Sequence, residues 1–136
     1  MALVDSAIRE VVERHDAFVT WFTGRGDDSV YADMELVFAP GFVLISPDAS
    51  VADRHAVMTM LAGARGARPA DFEITVSDAK AMWSTADAVV IAYIEHQVLA
   101  GQRTKRQSTA LFTREPAAPN GVVWQHVHET WITPPN

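Results

Sequence analysis

The spacing of apolar positions changes once along the chain, and that change separates a helical part from a strand part. Over residues 3–23, Leu3, Ala7, Ile8, Val11, His15, Phe18, Val19 and Phe22 recur three and four apart, with Arg9, Glu10, Glu13 and Arg14 mostly elsewhere. That period predicts an amphipathic helix. Asp5 is placed to cap its start, and Gly24 and Gly26 end it. Asp27, Asp28 and Ser29 offer caps for a second, shorter helix over 30–38, stopped by Pro40 and Gly41. Residues 42–46 read as a short strand closed by the turn Pro47-Asp48. Asp53 can cap a third helix carrying Ala56, Val57, Met60 and Leu61, which the stretch 63–69 breaks.

Beyond that point the period shortens. Residues 72–83, 88–99, 104–114 and 122–132 read as strands with short connections, among them the turn pair Asn120-Gly121. Short links between successive strands imply antiparallel neighbours, so the strands form a meander. Helices followed by strands argue an α+β fold rather than a parallel sheet. No repeat, low-complexity tract or linker divides the chain, and 1–136 reads as one domain.

A turn centred on Gly101 pairs Glu95 with Arg106, Tyr93 with Ser108, Ile91 with Ala110 and Val89 with Phe112. The last hairpin, closed through the longer loop 115–121, pairs Thr130 with Arg106, His128 with Ser108, His126 with Ala110 and Trp124 with Phe112. Side chains alternate along a strand. Tyr93, Glu95, Arg106, Ser108, His126, His128 and Thr130 are therefore expected on one face, continued by Val89, Ile91, Ala110, Phe112 and Trp124. A face greasy at one end and polar at the other describes a half-open pocket for a small-molecule ligand. The opposite face, with Val90, Ala92, Ile94, His96, Val98, Thr109, Leu111, Val127 and Trp131, is too apolar to be fully wetted and suggests a subunit contact.

Composition narrows the classes. A net charge of −6 over 136 residues repels phosphate backbones, so nucleic acid is a poor partner. No apolar run is long enough to cross a bilayer, and the first ten residues lack a secretory signal's basic start and apolar core. With no cysteine, disulfide and thiolate chemistry are excluded. Cysteine absence alone would also fit a secreted protein, but these features together give the cytoplasm as the expected location. No phosphate-binding glycine loop or nucleophile elbow is present.

Each candidate residue has a functional and a structural reading. Glu95 held by Arg106 reads as a base or an orienter of water, or as a plain cross-strand ion pair. His126 and His128 read as acid/base or ligand-contact groups, or as imidazoles satisfied within the fold. A metal site there needs a third ligand, from Glu95 or His15. Tyr93 reads as a hydrogen-bond donor to a ligand carbonyl. His15, on the apolar face of the first helix, is a core histidine or reaches the pocket from above. Trp124 is the tryptophan placed to touch a ligand, and Asp48 is turn chemistry.

The sequence Phe38-Ala39-Pro40-Gly41-Phe42-Val43-Leu44-Ile45-Ser46-Pro47-Asp48 resembles the first strand and turn of nuclear transport factor 2-like domains. Asp53-Arg54 opening a helix is similar to them too. So is Arg106-x-Ser108-x-Ala110-x-Phe112 followed by Trp124-x-x-Val127-His128-Glu129-x-Trp131. Two departures stand out: Ala49 where a Gly is common, and Thr130 where a second His is common. The resemblance, to the SnoaL-like and ketosteroid isomerase-like members of that superfamily, implies three helices on a strongly curved antiparallel sheet. Together they form a cone with an internal pocket, and the subunits pair as a homodimer through the outer sheet face. It implies cofactor-independent isomerase, dehydratase or cyclase chemistry on an apolar carbonyl or cyclic compound, or a non-catalytic association module. Glu95, His128 and Tyr93 would then be the catalytic groups. Arg106, Ser108, His126, Thr130, Trp124 and His15 would be the ligand contacts.

Overall fold

Caps and apolar period set the helices in the computed structural model, which describes residues 2–136. Helix α1 (Leu3–Phe22) begins after an extended Ala2 with no side-chain cap. Asp5 lies in its first turn, where it meets the positive helix end instead of capping it. Helix α2 (Asp28–Val37) starts a little earlier than the expected residue 30, because Asp27 accepts the Ser29 N–H at 2.9 Å. Strand β1 (Phe38–Ile45) follows without a loop. Pro40 and Gly41 therefore sit inside a strand, at a register irregularity between Phe38 and Val43. The short β2 (Val51–Asp53), which the apolar pattern does not signal, folds back on β1. Asp53 then caps α3 (Arg54–Gly63) by accepting the Ala56 N–H at 2.9 Å.

The remaining strands are β3 (Glu73–Ser84), β4 (Ala88–Leu99), β5 (Gln102–Arg114) and β6 (Val122–Thr133). They form the expected antiparallel meander. The sheet as a whole is mixed, in the order β2-β1-β6-β5-β4-β3, because β1 runs parallel to β6. Two register shifts in β3, the first beside Asp78 with φ 57°, add local twist. The core lies between the inner sheet face and the helices. Val89, Ile91, Ala110 and Phe112 pack there with Val11, Met34, Val37 and Leu61.

Register decides which side chains reach that interior. In the β4–β5 hairpin the two-residue turn Ala100-Gly101 has φ of 51° and 80°. Positive φ at both positions matches strand twist and locks the pairing. All four expected pairs, from Glu95–Arg106 to Val89–Phe112, are present. The β5–β6 pairing also follows expectation from Arg114–Val122 to Phe112–Trp124. Between Leu111 and Phe112 it then shifts by one, with Gln125 as the extra residue on β6. A slip of one residue turns every later side chain to the other face. Val127, Glu129 and Trp131 therefore oppose Ala110, Ser108 and Arg106, in place of His126, His128 and Thr130.

Candidate functional site

Two rows of side chains cross three strands on the inner face. One is Tyr93–Ser108–Glu129, and the next is Glu95–Arg106–Trp131. Helix α1 lies over them, and its period brings His15 down onto Glu95. His15 Nε2 is 2.9 Å from Glu95 Oε1, and His15 Nδ1 is 2.6 Å from the Val11 carbonyl oxygen. Carbonyls and ionised carboxylates only accept, so both ring nitrogens donate and His15 is an imidazolium. Burial opposes that charge, but Glu95, the Val11 carbonyl and Glu129 outweigh it and raise the His15 pKa. Burial would likewise raise Glu95. The His15 charge and hydrogen bond, Arg106 and the Gln97 amide together overcome it and hold the carboxyl at about 2. The second oxygen of Glu95 accepts from Gln97 Nε2, so Glu95 is fully engaged.

Arg106 is held more loosely. Its Nε stands 3.8 Å from Glu95 Oε2, beyond hydrogen-bond reach, and its Nη1 is 3.5 Å from Glu129 Oε1. The guanidinium lies over the Trp131 ring, 4.7 Å from its centroid. Arg106 Nε and Ser108 Oγ are buried with no hydrogen-bond partner among the described residues. Glu129 is raised, chiefly by burial and then by the neighbouring Glu95 charge, with Arg106 and His15 working against the rise. Tyr93 is raised well above 10 by burial and by both carboxylates, so it stays a neutral phenol.

This cluster closes one end of a cavity of about 180 Å³. The rest of its wall is apolar, from Phe18 and Phe22 on α1, Phe42 and Leu44 on β1, Val57 and Leu61 on α3, and Trp124 and Val127 on β6. Cavities of about 150 Å³ take a benzene ring, so this space fits a body of that size. Met60, half-exposed, borders the opening.

Solved structures of similar shape were found. An NTF-2-like protein of unknown function from Pseudomonas aeruginosa superposes with a TM-score of 0.84 and 26% identity, over 93% of this chain and 98% of that one. The chain belongs to the nuclear transport factor 2-like superfamily. A CaMKII hub from S. rosetta shares the fold at a TM-score of 0.75 and 14% identity, over 96% and 98% of the two chains. A putative ketosteroid isomerase from Parabacteroides distasonis shares it at 0.58 and 14%, over 83% and 81%. No family model and no curated protein matches.

Within this nuclear transport factor 2-like frame, Glu95, Arg106, Tyr93, Trp124 and His15 line the cavity, and Ser108 lies on the same face between Tyr93 and Glu129. His126, His128 and Thr130 do not join them. The extra residue at Gln125 turns all three to the outer face, where His128 and Thr130 are exposed and His126 Nδ1 donates to the Val43 carbonyl. The metal reading falls with them, because its third ligands, Glu95 and His15, lie on the other side of the sheet. Val127 and Trp131, expected outside, are inside.

Glu129 is the residue that the sequence reading passed over. Its signal is in the spacing. Trp124 and Val127 are both large and apolar yet three apart, an odd interval that a regular strand cannot place on one face. The interval marks an inserted residue, after which Val127, Glu129 and Trp131 share the inner phase.

Proposed function

We propose that this chain binds a small, mainly apolar molecule with a polar head in the cavity under α1, as a single domain that pairs into a homodimer through its outer sheet face. The observation that carries the ligand reading is the cavity itself. Its walls are apolar, and one end gathers His15, Tyr93, Glu95, Arg106 and Glu129. A few convergent polar groups at the end of an apolar pocket are what orient a ligand. A panel of one-ring and short-chain compounds, followed by thermal shift and NMR, tests it. Binders should raise the melting temperature of the native chain and lose that effect in Leu61→Trp, which fills the cavity. A panel with no binder removes the reading.

The homodimer rests on the outer face, where Trp83 is 56% exposed beside Val90 and Leu111. Exposed tryptophans on such faces are common interface anchors. Trp83→Ser should shift the chain from dimer to monomer in analytical ultracentrifugation, weakening association by about 2 kcal/mol. An unchanged dimer would move the contact elsewhere.

A second reading, proton-transfer catalysis on an apolar carbonyl compound, is favoured by one feature. Glu129 is the carboxylate of the pair that is not locked by hydrogen bonds, and its raised pKa suits proton exchange better than that of Glu95. In this reading Glu129 moves the proton, Tyr93 donates to the carbonyl oxygen, and Glu95 positions His15. Turnover that survives Glu129→Gln would rule it out.

A further inference from the structure

We propose that the ligand's polar head is a carboxylate, seated on the Arg106 guanidinium, and that Glu129 takes up a proton as the acid enters. The inference rests on the ligand-binding reading above and names the chemical class of the molecule.

The argument starts from unused donors. A guanidinium carries five N–H groups in a planar fork. Among the described residues Arg106 makes a single hydrogen bond, at 3.5 Å to Glu129, and its Nε is buried without a partner. Burying donors without acceptors is costly, so a cavity that keeps them is shaped for an acceptor from outside. Trp131 lies against the guanidinium, its ring centroid 4.7 Å from Cζ. A planar fork held in this way matches a carboxylate in two-point contact, at about 2.7–2.9 Å for each bond. Neither resident carboxylate supplies that contact. Glu95 gives its oxygens to His15 and Gln97, and both carboxylates stand 3.5 Å or more from the guanidinium.

Charge points the same way. His15 and Arg106 are cations and Glu95 is a locked anion, which leaves one positive charge for Glu129 and the ligand to share. The groups facing Glu129 are His15 from α1, Tyr93 and Glu95 from β4, and Arg106 from β5. From β1 and α3 the cavity receives only apolar side chains, Phe42, Leu44, Val57 and Leu61 among them. A ligand carboxylate therefore arrives as a third anion beside two cations. Glu129 relieves the excess by binding a proton from solvent, and as a neutral acid it can donate to the ligand. Binding thus consumes a proton, and affinity falls as pH rises. The apolar wall and the size of the cavity limit the body of the acid to about one ring or a short chain.

Calorimetry on the full chain tests this, with phenylacetate and hexanoate as acids and phenylacetamide as the neutral isostere of the first. Phenylacetate should bind at least about tenfold more tightly than phenylacetamide, the worth of one charged hydrogen-bonded pair. Binding should be tighter at about pH 6 than at about pH 8, with proton uptake read from buffers of different ionisation enthalpy. Arg106→Lys, which keeps the charge and loses the planar fork, should remove most of the preference for the acid. Arg106→Met should remove all of it. Glu129→Gln should flatten the pH profile. If phenylacetamide binds as well as phenylacetate, the carboxylate inference is wrong and the pocket reading stands. If neither compound nor hexanoate binds, both fall. Tight acid binding without proton uptake would overturn the role given to Glu129.

Discussion

Helix α1 carries two buried charged clusters about one turn apart, and they are built to opposite specifications. At Glu10 the carboxylate is 0% exposed and accepts four hydrogen bonds. Arg14 gives two, at 2.8 and 3.1 Å, Asn120 Nδ2 one at 3.0 Å, and Trp124 Nε1 one at 2.8 Å. Every lone-pair position of that carboxylate is filled, and the cluster leaves no room for a visitor. It ties α1 to the start of β6 and fixes the Trp124 ring that floors the cavity. At His15 the first half of the pattern repeats, a charged pair with its acceptors taken. The second half does not, because Arg106 hangs between two carboxylates at 3.5 and 3.8 Å with a donor unused. Burial and charge are alike in the two places, but only the second keeps spare bonding capacity against a cavity. Saturation, rather than the presence of charge, separates a structural cluster from a candidate site.

The largest expected effect lies in the saturated cluster. Glu10→Ala leaves the Arg14 charge and the Trp124 N–H buried and unpaired, and should cost about 3–5 kcal/mol in urea denaturation. A loss below about 1 kcal/mol would mean that the cluster relaxes to water and that the contrast is false.

Next comes acid sensitivity, which belongs to the other cluster. The Glu95 carboxyl sits at about 2 in the fold against an ordinary 4.5, so its stabilisation is present above the ordinary value and lost as pH falls toward 2. The difference corresponds to about 3 kcal/mol. His15 is shifted upward, so its contribution is full below its ordinary 6.5 and is lost as pH rises through the folded value. Glu129 is also shifted upward and loses its contribution as pH rises. Stability should therefore pass through a maximum near pH 4.5, falling on the acid side as Glu95 is protonated and on the alkaline side first through Glu129 and then through His15. Glu95→Gln should lower that maximum and flatten the acid limb of a pH series of melting curves. A variant with an unchanged acid limb would show that the pair with His15 does not carry it.

The smallest expected effect is at His128. The exposed ring makes no hydrogen bond among the described residues, so His128→Ala should change stability by less than about 0.5 kcal/mol. It should leave ligand affinity unaltered. A clear loss of binding would put the strand phase of β6 in question, and with it the assignment of Glu129.

The amino-acid pattern by itself determined the three helices, two of their caps, the meander and the β4–β5 pairing. Those features depend on local chemistry: a helical period, an aspartate before a first turn, a two-residue turn that accepts positive φ. Glu95, Arg106, Tyr93, Ser108, Trp124 and His15 were legible for the same reason, since all but His15 lie on strand segments whose phase a nearby turn fixes. Only the tertiary structure decided the rest. The parallel seating of β1 on β6 joins strands far apart in the sequence, which no local signal carries. The bulge at Gln125 exchanged His126, His128 and Thr130 for Val127, Glu129 and Trp131, because one inserted residue reverses a period of two until the next register shift, between Trp131 and Thr133. The burial of Glu10 and Arg14 within a helix that reads as amphipathic was decided by partners of Glu10 that lie 110 and 114 residues away, Asn120 and Trp124. Such contacts exist only once the chain has closed on itself.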